Sequence, residues 1–320
     1  MAIELTTLKS AFGTYLSNNQ KNIMRLMMQP TVSQKYMTTI AKTITEYRAA
    51  QAVIDDIVQG FTSTWSAKGT PTFTPITITN RRHKINVPFK PDDIVDSWIG
   101  FMEDETKTRK DWPISRYIIE KLIIPKVLDN RELKLIGKGI YDVNNLTVTG
   151  RSMDGFCTIL KKLKTAGTSS INFIDLGSLT TENIVDKIND FVDNIDELYQ
   201  GVSMPVFLSN TWYKAYKRKY KELYGTALDF TPQSDMIDYS NNRLIQLPSM
   251  AGEDIIFTTP KENFIRLINR NEGASNIWIQ EQDYSVKVFA DWWEAVGFAI
   301  EEAVFAYVPD EESSSGSVSA

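Results

Sequence analysis

The 320-residue sequence contains one cysteine and one histidine. Cys157, standing alone, excludes an internal disulfide and leaves no thiolate cluster for zinc, which suits a reducing, cytoplasm-like compartment. In the apolar stretch MDGFCTIL it reads as a small buried hydrophobe. His83 stands in NRRHK beside Arg81, Arg82 and Lys84, a poor setting for a base, so the expectation is an exposed contact or plain solvation. Cations are not in excess: 35 Lys and Arg face 40 Asp and Glu, a net charge of −5. That balance argues against a general nucleic-acid binder, which must displace counterions from phosphates. No apolar run approaches the roughly eighteen residues of a membrane span, and MAIELTTLKSAFGTYL lacks the basic-then-apolar order of a leader. Phosphate-loop, dinucleotide, nucleophile-elbow and zinc-protease motifs are missing; GRSMDG lacks the elbow spacing. The acidic pairs Asp92 and Asp93, Glu301 and Glu302, and Glu311 and Glu312 are sequence neighbours whose side chains diverge in extended chain, as surface charge does. Carboxylates brought together by folding are the enzymatic arrangement these absences leave open.

What is present is ordinary globular material, 42% hydrophobic and 23% charged, in a chain long enough for roughly two or three structural units. Residues 1–59 read as two helices broken at QPTVS, because Pro30 disfavours helical geometry at Gln29 and Ser33 can cap the second. Met37, Ile40, Ile44, Tyr47, Val53, Ile54 and Ile57 give that second helix an apolar side. The segment carries Lys9, Lys21, Arg25, Lys35, Lys42 and Arg48 against Glu4 and Glu46, either a solvated face or a nucleic-acid contact. The period then changes to two in TFTPITIT and KINVPF, a β-hairpin with NRRH at its tip. Pro75 and Pro88 confine these strands to an edge or a free-standing hairpin. WPISRYIIEKLIIPKVLDNRELKLIG predicts a long helix entered at Pro113, kinked at Pro125 and ended by Gly137 or Gly139, with Ile119, Ile123 and Val127 as its stripe and Ile118 and Leu122 widening it.

From about 144 to 270 short strands and helices alternate as a mixed α/β unit. SSINFIDLG, SMPVFLS, RLIQL and EDIIFTT read as strands. TTENIVDKINDFVDNIDELYQG reads as one helix with Ile184, Ile188, Phe191, Ile195 and Leu198 on one side. NTWYKAYKRKYKELYG is a helix closed by Gly225. Its Lys214, Lys217, Arg218, Lys219 and Lys221, interleaved with Tyr213, Tyr216 and Tyr220, form a solvated or inter-subunit face or touch phosphates. Strand alternation returns over 277–308, with Tyr284, Val286 and Val288 before a polar break and Val296, Phe298, Ile300, Phe305 and Tyr307 after it. The break holds Trp292 and Trp293. Neighbouring side chains on an extended backbone point to opposite faces, so either one indole packs inward with the other free, or both serve a neighbour. DEESSSGSVSA ends the sequence as a mobile polar tail.

The order of a helical arm, a proline-bearing ribbon, a long helix, a compact α/β insert and returning strands resembles the major capsid protein of tailed bacteriophages, the Johnson or Hong Kong 97-type fold. LPSMAGEDIIFTTPKENFIRLINR and DYSVKVFADWWEAVGFAIEEAVFAYVP are similar to the closing segments of such proteins. The resemblance implies an α+β fold with an N-terminal helical arm (1–59), an extended β-hairpin loop (60–111), a peripheral domain with a spine helix (112–143 and 277–308), an axial α/β domain (144–276) and a flexible tail (309–320). It implies no enzyme, cofactor or metal, but self-assembly into hexamers and pentamers of an icosahedral head enclosing double-stranded DNA, in the virion and built in the bacterial cytoplasm. A portal is an implied partner, and so is a separate scaffolding protein, since 59 residues before the ribbon are few for an internal scaffold. DNA would be touched weakly and without sequence preference. Some members weld subunits through a Lys–Asn isopeptide bond; residues 284–308 hold no asparagine, so closure is expected to be noncovalent. Subunit contacts are expected between the basic ribbon tip (Arg81, Arg82, Lys84, Lys90) and the acidic terminal segment (Asp291, Glu294, Glu301, Glu302) of an adjacent copy, with Trp292 and Trp293 buried against a neighbour. An encapsulin-like nanocompartment shell is the alternative within that fold, and a cytoplasmic carboxylate-dependent hydrolase the alternative outside it.

Overall fold

The computed structural model describes residues 5–41, 45–54, 57–90, 97–102, 112–224, 235–269, 277–282 and 285–310. Glu4, Lys42, Ile44, Asp92, Asp93, Gly225, Tyr284, Glu311, Glu312 and the tail beyond them lie outside the described residues. Helix α1 (Leu5–Met27) stops ahead of Pro30 as anticipated, and Ser33–Tyr36 makes a 3-10 turn. The second helix expected before residue 59 is not there. Thr38–Ala41 is strand β1 and Glu46–Ile54 is strand β2. β-branched Thr38, Thr39, Ile40, Val53 and Ile54 favour extended backbone, and apolar positions that approximate a helical stripe also fit alternation.

The ribbon is likewise built differently. β2 pairs antiparallel along its whole length with β3 (Pro71–Thr79), Glu46 opposite Thr79 and Ile54 opposite Pro71. β4 (Arg81–Phe89) follows after Asn80 alone and pairs with β11 (Ser285–Phe298) instead of with β3. One residue cannot close a hairpin, for which two is the usual minimum. The buried Asn80 donates its N–H to the Thr45 carbonyl at 2.7 Å, ending the β2 ladder as the chain changes partners. Among the described residues β3 and β4 each pair along one side only, so Pro75 and Pro88 do sit on edges.

Ile114–Tyr117, Ile118–Ile123, Ile124–Asn130 and Arg131–Ile136 run on without interruption as the long helix α2, α-helical in the first and third segments and π-helical in the second and fourth. The first wide turn directly precedes Pro125, which has no N–H to return to Lys121. Ile118, Ile119, Ile123, Ile124 and Val127 are buried against Ile23, Met24 and Met27 of α1 and against Val286, Val288, Ala290 and Trp292 of β11. Leu122, expected in the stripe, is exposed. β11 runs unbroken through the residues taken as a polar break, pairing in turn with β10 (Ile277–Gln282), β4 and β9 (Phe264–Ile268), and β9 holds β1 in parallel.

The second sheet has the order β5 (Asn172–Phe173), β12 (Phe305–Tyr307), β8 (Ile256–Thr258), β6 (Pro205–Leu208), β7 (Arg243–Gln246). Alternation assigns its faces. Phe207, Phe257 and Ala306 pack on α3 (Phe156–Ala166), whereas Val206, Leu208, Ile256, Phe305 and Tyr307 pack on α4 (Ile184–Asp193) and α5 (Asn210–Tyr224). The helix expected to run on to Leu198 stops at Asp193. Asp196 starts a new turn by accepting the Leu198 N–H at 2.8 Å, which leaves Leu198 85% exposed and out of phase with Ile195.

Gly137 ends α2 where backbones meet. A Cβ there would lie 2.1 Å from the Ser249 carbonyl oxygen, and one on Gly155 would lie 2.4 Å from the Gly137 carbonyl. Gly137→Ala should therefore lower stability by about 1–3 kcal/mol, as overpacking does. Urea denaturation should show this midpoint shift, while Gly60→Ala, with open space around it, should leave the midpoint unchanged.

Candidate functional site

The run ADWWEA divides by alternation along β11. Trp292 and Glu294 point into the body, Asp291 and Trp293 the other way. Trp292 is 5% exposed, stacks on His83 with ring centroids 5.6 Å apart, and donates its indole N–H to Glu294 Oε2 at 3.3 Å. It therefore has no surface to give a neighbour. Trp293 is half-buried, paired across the sheet with Arg82.

Glu294, 1% exposed, is the centre of a buried charge cluster. Its Oε1 accepts Arg131 Nη2 at 2.6 Å, Arg266 Nε at 2.9 Å and Gln34 Nε2 at 2.6 Å; Oε2 accepts Arg131 Nε at 2.9 Å. Arg131 also donates to the carbonyls of Met27 (2.6 Å) and Gln29 (3.2 Å), and Arg266 to that of Met28 (2.9 Å). Two guanidiniums thus cap the C-terminal carbonyls of α1, where the helix dipole is negative. Burial alone would raise the Glu294 carboxyl, but Arg131 and Arg266 beside it hold it well below the usual carboxylate range. Next to the cluster, Glu132 accepts the N–H and hydroxyl of Ser33, whose oxygen lies 2.6 Å from Ser249 Oγ.

His83 is buried, contrary to the expectation of an exposed contact. Its Nε2 lies 3.2 Å from the Glu294 carbonyl, which can only accept, so Nε2 carries the proton and Nδ1 faces the Ser152 hydroxyl at 2.8 Å. Burial pushes its pKa down from the ordinary value, outweighing the attraction of Glu294.

Of the cations taken as a ribbon tip, Arg81 lies 3.7 Å over the Tyr141 ring, and Arg82 forms its ion pair with Asp291 inside the same chain. The Arg82–Asp291 pair, expected between copies, is thus made within one, β4 and β11 being cross-strand partners. Lys84 is exposed opposite Asp291, and Lys90 is exposed at the far end of β4. Glu301 and Glu302 are half-buried elsewhere; Glu301 accepts the Ser169 hydroxyl and the Ser170 N–H, each at 2.9 Å. The structure therefore gathers Arg81, Arg82, Lys84, Asp291, Trp292, Trp293 and Glu294 on two strands, and leaves Lys90, Glu301 and Glu302 outside the group.

Two features were not picked out from sequence. The outward face of β10, β11 and β4 carries a stacked pair, Trp278 (47% exposed) and Phe289, with centroids 6.4 Å apart, alongside Trp293, Arg82 and Lys84. A cleft of about 500 Å³ opens beside it, lined by Leu146, Val148, Val127 and Trp278 among others. The second is the turn between β2 and β3, where Phe61 is 98% and Trp65 87% exposed, with Ile57 and Val58 exposed as well. The sheet face follows from period-two alternation once the strand register is known, and the register was not readable; the turn carries no periodic pattern at all.

Among the described residues no group of three or more His, Cys, Asp or Glu could hold a metal ion, and no helix is long and apolar enough to cross a membrane. No family model and no curated protein sequence matches the chain. Solved structures do. A chain of the satellite phage P4 procapsid aligns with a TM-score of 0.55 at 12% identity, over 96% of this chain and 98% of that one. The capsid of Myoviridae phage XM1 aligns with a TM-score of 0.55 at 10% identity, over 88% and 92%. The capsid of a native GTA particle gives 0.55 at 11%, over 86% and 89%. The fold is the Hong Kong 97-type capsid fold. Such low identities carry architecture alone, and the α+β class anticipated from the order of elements is the one found.

Within that Hong Kong 97-type frame the Glu294 cluster has a measurable signature. Its folded pKa is depressed, so its contribution to stability is complete above the ordinary carboxylate value of 4.5 and is lost as pH falls below it. Glu294→Ala, which leaves two buried guanidiniums uncompensated, should cost about 3–5 kcal/mol at neutral pH. Urea midpoints between pH 5 and 3 should fall more steeply for the parent than for this variant.

Proposed function

We propose that copies of this chain close into an icosahedral shell of hexamers and pentamers, a bacteriophage head that encloses double-stranded DNA. The observation that carries this reading is the end-to-end likeness to a procapsid chain, 96% of one against 98% of the other. The sheet of β1, β9, β11, β10 and β4 with α1 and α2 serves as the peripheral domain, the second sheet with α3, α4 and α5 as the axial domain, and β2 and β3 as the extended loop. A scaffolding protein and a portal complete the assembly in the bacterial cytoplasm, and contact with DNA is weak and sequence-blind.

A non-enzymatic role agrees with the chemistry of the carboxylates. Glu294, 1% exposed and held ionised by two guanidiniums, is poorly placed to give or take a proton as a general acid or base. The side chains fit for contact between copies are the outward ones: Arg82, Lys84 and Trp293 with Trp278 and Phe289 on the sheet, and Phe61 and Trp65 on the ribbon. The paired part of β2 and β3 is nine residues long, about 30 Å at the usual rise, and carries its aromatics to the far end. Burying either ring against a second copy would contribute about 2 kcal/mol, repeated around every ring of subunits.

Size-exclusion chromatography and electron microscopy of the purified protein test the reading. Closed particles protecting DNA from nuclease support a head; particles holding a protein cargo point to a nanocompartment; a monomer of 36.4 kDa at every concentration and with scaffold supplied refutes shell formation. The double variant Phe61→Ser, Trp65→Ser should keep the circular dichroism and melting temperature of the parent while losing particles.

A further inference from the structure

We propose that His83 is an acid-sensitive latch that fixes the root of the extended ribbon to the body and lets go when the ring is protonated. This property belongs to the single chain and stands whether or not the chain builds a shell. His83 is the sole histidine, and it sits three residues past Asn80, where the chain leaves β3 for β4. Three contacts converge on its ring: the Trp292 stack at 5.6 Å, Ser152 Oγ at 2.8 Å and the Glu294 carbonyl at 3.2 Å. They tie β4 to β11 and to the loop before α3, and Arg81 over Tyr141 ties the same strand to the same loop.

The charges around the ring decide what a proton does there. From β11 it meets Glu294, and farther along the strand Asp291, already paired with Arg82. From α2 it meets Arg131, and β9 contributes Arg266 through Glu294. On β4 itself Arg81, Arg82 and Lys84 flank it, and Arg151 precedes Ser152 in the loop. Glu294 is fully engaged by two guanidiniums and cannot neutralise a third cation. An imidazolium would thus be a buried charge near Arg131, with Glu294, the carboxylate beside it, already engaged by two guanidiniums. Released into water, the same ring accepts a proton at its ordinary value of 6.5.

Linkage then sets the sign. The latched state binds fewer protons than the open one, so its contribution is complete above pH 6.5 and is lost as pH falls through and below that value. Opening of β4 should increase as pH falls below 6.5, approaching about tenfold per pH unit, one proton being taken up on opening. Down to about pH 5 Glu294 is still mostly ionised in open and closed states alike, so this window isolates His83.

Amide hydrogen exchange on the full-length chain at pH 7, 6 and 5, corrected for intrinsic rates, reads this directly. The amides of β4 and of β11 opposite it should lose protection about threefold from pH 7 to 6 and about eightfold from pH 6 to 5, while those of β6 and β8 stay constant. In His83→Gln, whose amide can still donate to the Glu294 carbonyl, the pH dependence should vanish. Equal loss in parent and variant, or no loss in the parent, overturns the latch. Should the variant not fold, the NMR titration of the single imidazole decides: a midpoint below 6.5 supports the proposal, and one at or above it refutes it.

Discussion

The carboxylate of Glu294 and the guanidiniums of Arg131 and Arg266 are the contact on which the arrangement of the body depends. Five segments meet there: the end of α1, the 3-10 turn through Gln34, α2, β9 and β11. A buried ion pair is a weak source of net stability, since desolvating the charges costs about what their attraction returns. What it does impose is geometry. Slipping β11 by one residue would carry Glu294 to the outer face and strand two guanidiniums in an apolar interior, so the register of the sheet is fixed by charge as well as by apolar packing. The positive charge left over after one carboxylate meets two guanidiniums is taken up by the carbonyls of Met27, Met28 and Gln29, which the end of α1 would otherwise leave without partners.

That cluster also explains what could and could not be read beforehand. Elements whose pattern is local were legible: α1 up to Pro30, α2 from Pro113 to Gly137, α5, and the short strands β6, β7 and β8, each bounded by its own turn or cap residues. Where the outcome depended on a distant partner, the reading failed. TTIA and EYRAAQAVI carry apolar residues at spacings open to either period, and only β9 and β3 make them strands. β3 and β4 look like the two arms of a hairpin because both alternate, yet Asn80 between them sends each to a different partner. ADWWEA looked like a polar break because Asp291 and Glu294 read as solvated, whereas Arg131 of α2 and Arg266 of β9 meet Glu294 in the interior and Arg82 of β4 pairs with Asp291 on the outer face. β9 itself went unseen because Arg266 interrupts FIRLI with the charge the cluster requires.

The site residues divide along the same line. Charge and aromaticity near residues 81–84 and 291–294 were visible in the sequence, but the face each side chain takes follows from register, and register sends alternate residues to opposite fates. Trp292, His83 and Glu294 went inward and became structure. Trp293, Arg82 and Lys84 stayed outward, joined by Trp278 and Phe289 from positions that drew no notice.

The ribbon of β2 and β3 makes the opposite case to the body. Two strands alone have too little apolar surface to hold themselves in water, and no third strand among the described residues flanks them. It is anchored at one end, where Thr45 meets Asn80 and β4 is clasped to β11, and its outer end presents Phe61 and Trp65 to solvent. A charge cluster that locks register at the root and an aromatic tip turned to solvent are complementary features. Rigidity at the base lowers the conformational entropy that the tip would lose on docking, so contacts of modest individual strength can determine where a second copy sits.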